Sequence, residues 1–174
     1  GIYRSLNDYE KALEFNLKAI EIDKNQPEVN YSLLAISYND VSLTYGCLNN
    51  YKKALDYNLK AIEIHEEILP PFHPDLSTSY HNISSTYSQL GDYQKALEFS
   101  KKSIEIDKQS LSPSHPNLAV SLYNMAAIYY YLQQYSDAKE HVEKAIKIFE
   151  ENNLTNIEHY TNAIEWQQLI SKNL

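Results

Sequence analysis

Glycine is scarce in this chain, three among 174 residues, and proline supplies only six. A turn-rich β architecture needs many residues that tolerate tight or left-handed backbone, so this scarcity excludes it and leaves helices. A single cysteine, Cys47, cannot close a disulfide within the chain, and nothing else in the sequence asks for an oxidising compartment. The longest apolar stretch, near Met125 to Leu132, falls short of the ~20 residues that span a bilayer, and no signal-peptide pattern is present. The expectation is a cytoplasmic protein with no membrane partner. Positive charge is short as well: 15 Lys and Arg against 23 Asp and Glu give a net charge of −8. Nucleic acid is thereby excluded as a partner, because it demands a concentrated basic face. Two glycosylation-type triplets, Asn82-Ile83-Ser84 and Asn153-Leu154-Thr155, carry no weight. Such matches arise by accident, and the first falls inside a predicted helix.

What the chain does have is a period. Tyr9, Tyr51, Tyr93 and Tyr135 follow one another at steps of 42 (51 − 9, 93 − 51, 135 − 93). Ala12, Ala54, Ala96 and Ala138 keep the same step, as do Ile22, Ile64, Ile106 and Ile148. Columns in phase over the whole length mark a stacked-repeat solenoid, in which each unit buries its apolar face on its neighbours. A hydrophobic content of 43% and a charged content of 22% fit a folded protein of this kind.

Taken in order, residues 1–5 read as the tail of a helix. Tyr3 matches Tyr45 one period on, so the chain is expected to begin inside a repeat of a longer protein. A helix follows from about Tyr9 to Asp23, with Tyr9, Ala12, Leu13, Phe15, Ala19, Ile20 and Ile22 as its apolar stripe. Pro27 marks a restart, and helix continues to about Cys47; Asn49-Asn50 turns the chain into Tyr51–Leu69, closed by Pro70-Pro71. In the third unit His73-Pro74 starts a helix that ends at Gly91, and Asp92 caps its partner, which runs to about Ser110. His115-Pro116 restarts the cycle, with helices near 117–133 and 135–151. A last helix near Asn156–Ser171 has no second partner and reads as a cap on the final unit. The domain organisation expected is one continuous array: a partial unit 1–25, units 26–70, 71–112 and 113–153, and a capping segment 154–174.

Chemistry is harder to find. His73 and His115 sit one period apart, and that recurrence makes them helix-start signals, since a catalytic residue has no reason to repeat with its scaffold. His65, His73 and His81 are spaced by eight and fall on a helix end, a loop and the next helix, without the i, i+4 spacing of helical zinc ligands. A glycine-rich phosphate loop, a nucleophile elbow and paired carboxylates are all missing. No metal, cofactor or catalytic activity is expected.

Within each unit the pattern Tyr38-x2-Val41-Ser42-x2-Tyr45, then Tyr80-x2-Ile83-Ser84-x2-Tyr87 and Leu122-x2-Met125-Ala126-x2-Tyr129, resembles the tetratricopeptide repeat. The usual repeat is about 34 residues long. The longer unit, with His73-Pro74-Asp75-Leu76 before the first helix and Gly91-Asp92-Tyr93-Gln94-Lys95-Ala96-Leu97 opening the second, is similar to the kinesin light chain subtype. The resemblance implies an all-α, right-handed superhelical solenoid of antiparallel helix pairs. It also implies a concave groove, lined by the first helices, that receives a peptide.

In that register the groove should present Asn39, Asp40, Leu43 and Cys47, then His81, Asn82, Ser85 and Gln89. A third rung gives Tyr123, Asn124, Ala127 and Tyr131, and the capping helix Glu165, Trp166 and Leu169. In similar proteins asparagines placed like Asn82 and Asn124 hold the peptide backbone. Related grooves also use Lys and Arg to clamp carboxylates or acidic motifs, and here the sequence departs from the pattern. From Gln26 to Cys47, Pro74 to Leu90, Pro116 to Leu132 and Thr155 to Ser171 there is no Lys or Arg at all. The groove should be neutral to acidic and favour neutral to basic peptides. The function expected is a non-catalytic scaffold or adaptor that binds an extended peptide or partner segment. The alternative is a structural or sensor segment that packs on neighbouring domains or on itself, with Tyr130 and Tyr131 as interface residues. Oligomeric state is written nowhere in these residues.

Overall fold

The computed structural model describes residues 8–173. They form eight helices and no strand: α1 (Tyr9–Lys24), α2 (Tyr31–Cys47), α3 (Tyr51–Ile68), α4 (Pro74–Gln89), α5 (Tyr93–Ser110), α6 (Pro116–Tyr131), α7 (Tyr135–Glu151) and α8 (Glu158–Ser171). The helix tail expected at 1–5 lies outside the described residues. The tightest packing is within the pairs α2/α3, α4/α5 and α6/α7, and each pair stacks on the next, with α8 against α7 and α6. Among the described helices none is long and apolar enough to cross a membrane.

Local chemistry sets the boundaries. His73 and His115 accept the backbone N–H of Asp75 and Asn117 on Nδ1, at 3.2 and 3.1 Å, just ahead of Pro74 and Pro116. The repeated His-Pro pair is thus a helix start, with the imidazole as the capping acceptor. Asn50 and Asp92 cap α3 and α5 through the N–H of Lys53 and Lys95. Between paired helices the chain turns through a left-handed residue at one column: Asn49 (φ 57°), Gly91 (φ 79°) and Gln133 (φ 60°). Glycine is the least strained occupant there. The second unit departs from expectation. Helix α2 begins at Tyr31 rather than at Pro27, because the Asn30 side chain caps it by accepting from Leu33 N–H at 3.0 Å. The capping helix starts two residues late, at Glu158.

Packing follows the columns. The buried face of each second helix repeats at spacings of four, three and four: Ala54, Asn58, Ala61 and His65 in α3; Ala96, Ser100, Ser103 and Asp107 in α5; Ala138, Val142, Ala145 and Phe149 in α7. All twelve are buried. Small residues set the close crossing within a pair: Ser84 donates to the Ala96 carbonyl at 2.8 Å, and Ala96 is fully buried. Lysines of the second helices lie over first-helix rings, Lys53 at 5.2 Å from the Tyr45 centroid and Lys95 at 5.1 Å from Tyr87. Lys60 and Lys102, again one period apart, lie 4.5 and 5.0 Å from Tyr57 and Phe99.

The first helix fits its predicted stripe least well. Ala12 and Ile20 are buried, yet Phe15 is 54% and Ile22 59% exposed. The equivalent Ile106 is covered by a cluster that includes Ile62 and Leu76 of the preceding helices.

Candidate functional site

The helical period places one stripe of α2, α4, α6 and α8 on a shared face. His81, Ser85, Gln89, Tyr123, Asn124, Ala127, Tyr131 and Trp166 line a single depression of about 390 Å³, together with Ser88, Tyr93 and Ile128. A second hollow of about 310 Å³ takes in Asn82, Ser85 and Gln89 with Leu43, Cys47 and Tyr51. A third joins Tyr123, Glu165, Trp166 and Leu169. Shared lining residues (Ser85 and Gln89, then Tyr123 and Trp166) make the three a continuous furrow across the stack.

Aromatic rings build one wall. Tyr131 is stacked on Tyr93, centroids 4.7 Å apart, and meets Trp166 edge-on at 5.8 Å. Tyr130 stands behind, edge-on to Trp166 at 5.2 Å and to Tyr135 at 5.5 Å. These mutual contacts fix the rings before anything arrives, while Tyr131 keeps 53% of its surface exposed. Amides supply the polar part. The side chains of Asn82 and Asn124 are half-buried and make no hydrogen bond to any described residue, so each offers a donor and an acceptor to the furrow. No lysine or arginine lines any of the three hollows.

Two predicted residues stand apart. Asn39 turns its Nδ2 to Ser79 Oγ at 3.4 Å, and neither Asn39 nor Asp40 lines a hollow. Other residues join the furrow that the stripe alone did not indicate. Tyr93 and Tyr51 belong to the Tyr9 column, given above only as a landmark of the period, yet both line it. Asn58, buried on α3, donates to Thr86 Oγ1 at 2.9 Å and to the Asn82 carbonyl at 3.2 Å, fixing the backbone under Asn82. Its place in the period, where Val142 stands two units on, was the available signal.

Beside the furrow lies a polar pocket of about 350 Å³ that shares His81 with it and reaches Asp107, Ser77, Ser103, Ser121 and His159. Burial pushes the His81 pKa below its ordinary value, partly opposed by the Asp107 carboxylate and helped by His159.

Comparison with known proteins places this architecture. The tetratricopeptide repeat model matches residues 1–67, 50–109 and 75–151. No curated protein sequence matches the chain. Among solved structures, the kinesin light chain-like protein of Podosopora anserina with nearly identical TPR-like repeats superposes with a TM-score of 0.82 at 17% identity, over 96% of this chain and 79% of that one. BtubC (BKLC) of P. vanneervenii gives 0.87 at 17% identity, over 95% of this chain and 66% of that one. The apo form of RapI gives 0.75 at 21% identity, over 94% of this chain but only 44% of its own. At such identities the likeness concerns the fold. The matched model, the 42-residue columns and the paired helices agree: the chain belongs to the tetratricopeptide repeat family, with repeats folded like those of kinesin light chain-type proteins.

Proposed function

We propose that the furrow holds an extended peptide or partner segment, neutral to basic in character, and that the protein serves as a non-catalytic cytoplasmic scaffold or adaptor. One observation carries this reading: eight predicted groove residues, from His81 to Trp166, gather in one depression with no lysine or arginine among its lining residues. Asn82 and Asn124 offer amides that no described residue uses, spaced one repeat apart along the furrow. An extended strand presents backbone N–H and C=O groups to such amides, and its side chains meet the Tyr131–Trp166 wall. The test is binding of peptides selected from a randomised library, compared between the wild type and Asn82→Ala/Asn124→Ala. Each lost amide is expected to cost about 1–3 kcal/mol of binding. A double variant that folds and binds as tightly as wild type overturns the reading.

A second reading has its own observation. Five large apolar side chains of α1 and α2, Phe15, Ile22, Tyr31, Leu33 and Ile36, are exposed. A structural segment packing on a second copy of itself would cover them. Light scattering separates the two: a dimer that Ile36→Glu dissociates favours self-association, and a monomer leaves the furrow as the binding surface.

A further inference from the structure

The seam that α5 makes with α4 and α6 is built from residues unusual for their positions. Ser103 stands where Ala61 and Ala145 stand one period away, and Ser77 stands where Ala35 and Ala119 stand. Asp107 occupies the slot that Phe149 fills in the following unit. Asp23 holds the same slot in α1, but only half-buried. The fold therefore accepts alanine and phenylalanine at these places, and the serines and the buried carboxylate are not demanded by it.

Asp107 is only 7% exposed. Its Oδ1 accepts from Ser77 Oγ and its Oδ2 from Ser121 Oγ at 2.9 Å. Ser77 has a single proton, and the carboxylate is the strongest acceptor it meets. The Ser103 hydroxyl, 2.9 Å away, therefore donates to Ser77. The result is a carboxylate served by hydroxyls yet paired with no lysine or arginine among the described residues. Hydroxyls meet its hydrogen-bonding need but leave its charge uncompensated, a costly state for a buried group. It lines the polar pocket of about 350 Å³, whose lining also includes His81 and His159. Each carboxylate oxygen accepts one serine and keeps a further lone pair, enough for a guanidinium fork or an ammonium.

We propose that this pocket is a socket for one cationic side chain, lysine or arginine, projecting from the segment held in the furrow. The proposal rests on the groove reading and names what would select a basic partner. His81 lines both pocket and furrow, so a side chain leaving the peptide between α4 and α6 can enter. Burial keeps the His81 imidazole from becoming a competing cation.

The test is an amide-detected NMR titration with N-acetyl-arginine methylamide, N-acetyl-lysine methylamide and the neutral N-acetyl-citrulline methylamide. Saturable shifts centred on His81 and Ser121 are expected with the two cationic probes in the millimolar range. Citrulline should bind about tenfold more weakly or not at all. The stronger of the two cationic probes identifies which residue the socket prefers. Asp107→Asn keeps the shape, removes the charge, and should abolish the preference for cations. Ser77→Ala/Ser103→Ala copies residues the neighbouring units already use, so it should fold; it should weaken the cationic probes several-fold. Equal shifts from citrulline, unchanged titration of Asp107→Asn, or no saturable shift overturns the socket. The two proposals fail separately. Library peptides that bind wild type and Asp107→Asn alike leave the furrow standing without the socket. Arginine probes that occupy the pocket while no peptide binds leave the socket standing without the furrow.

Discussion

The junction of α3 with α4 and the junction of α7 with α8 are one piece of geometry made with different chemistry. In the first, His65 Nδ1 lies 2.8 Å from Ser79 Oγ; two units later the same two columns hold Phe149 and Ala163, both fully buried in one apolar cluster. Between them comes Asp107 with Ser121. The polar junction is the less comfortable. Asn39 Oδ1 and Asn58 Oδ1 are buried beside it without a hydrogen-bond partner among the described residues, at roughly 1–3 kcal/mol each. The apolar junction, closed by α8, has Val142 in the place of Asn58 and carries no such burden. The repeat thus dictates where helices cross, and leaves open what each crossing can recognise. Polar groups concentrate at the junctions beside the furrow, and apolar ones at the junction with α8.

The comparison can be broken most forcefully at its apolar member. Phe149→Ala empties a site with no exposure and should cost about 3–5 kcal/mol in denaturant unfolding. A loss below about 1 kcal/mol would mean that α8 does not close the stack. Next comes the crossing that every unit shares. Ala96→Leu forces a branched side chain between α5 and the Ser84 turn of α4 and should cost about 1–3 kcal/mol. Unchanged stability would put the register in error.

The smallest expected effect sharpens the polar member. Burial holds the His65 pKa below its ordinary value, with Asp75 opposing and His73 adding to the depression. The folded state thus binds fewer protons than the unfolded one, so this contribution is full above an unfolded pKa of about 6.5 and is lost progressively as pH falls from there through the lowered folded pKa. His65→Phe/Ser79→Ala copies the Phe149 and Ala163 pair and should flatten the fall in Tm between neutral and mildly acidic pH. Part of the slope should remain, because His81 is shifted in the same direction. A slope unchanged by the double substitution would remove His65 from the explanation.

Most of the fold was legible because period, caps and small-residue columns agree at every level. The His-Pro starts, the Gly91 turn and the Ala96 crossing read directly from sequence, since each is a local requirement. The start of α2 did not, because Asn30 competes with Pro27 as a stop and start signal and wins by capping. The furrow was legible in part. A stripe on one helix follows from the 3.6-residue turn, so His81, Tyr123 and Trp166 could be placed together. The bond of Asn39 to Ser79 was not legible, since it depends on how two first helices approach. Asp107 was hidden for a different reason. It lies on a second helix, while the groove was expected on the first helices; the inner face of that helix nevertheless reaches the pocket. Comparing its column with Phe149 exposes it; scanning for motifs does not.

The central claim is that the furrow selects extended peptides that are not acidic. The direct measurement is calorimetric affinity, at low salt, for a library-selected peptide and its versions carrying lysine, norleucine or glutamate at one central position. The account predicts that lysine binds at least as tightly as norleucine and that glutamate binds most weakly, by about tenfold. Tightest binding by the glutamate peptide would contradict it.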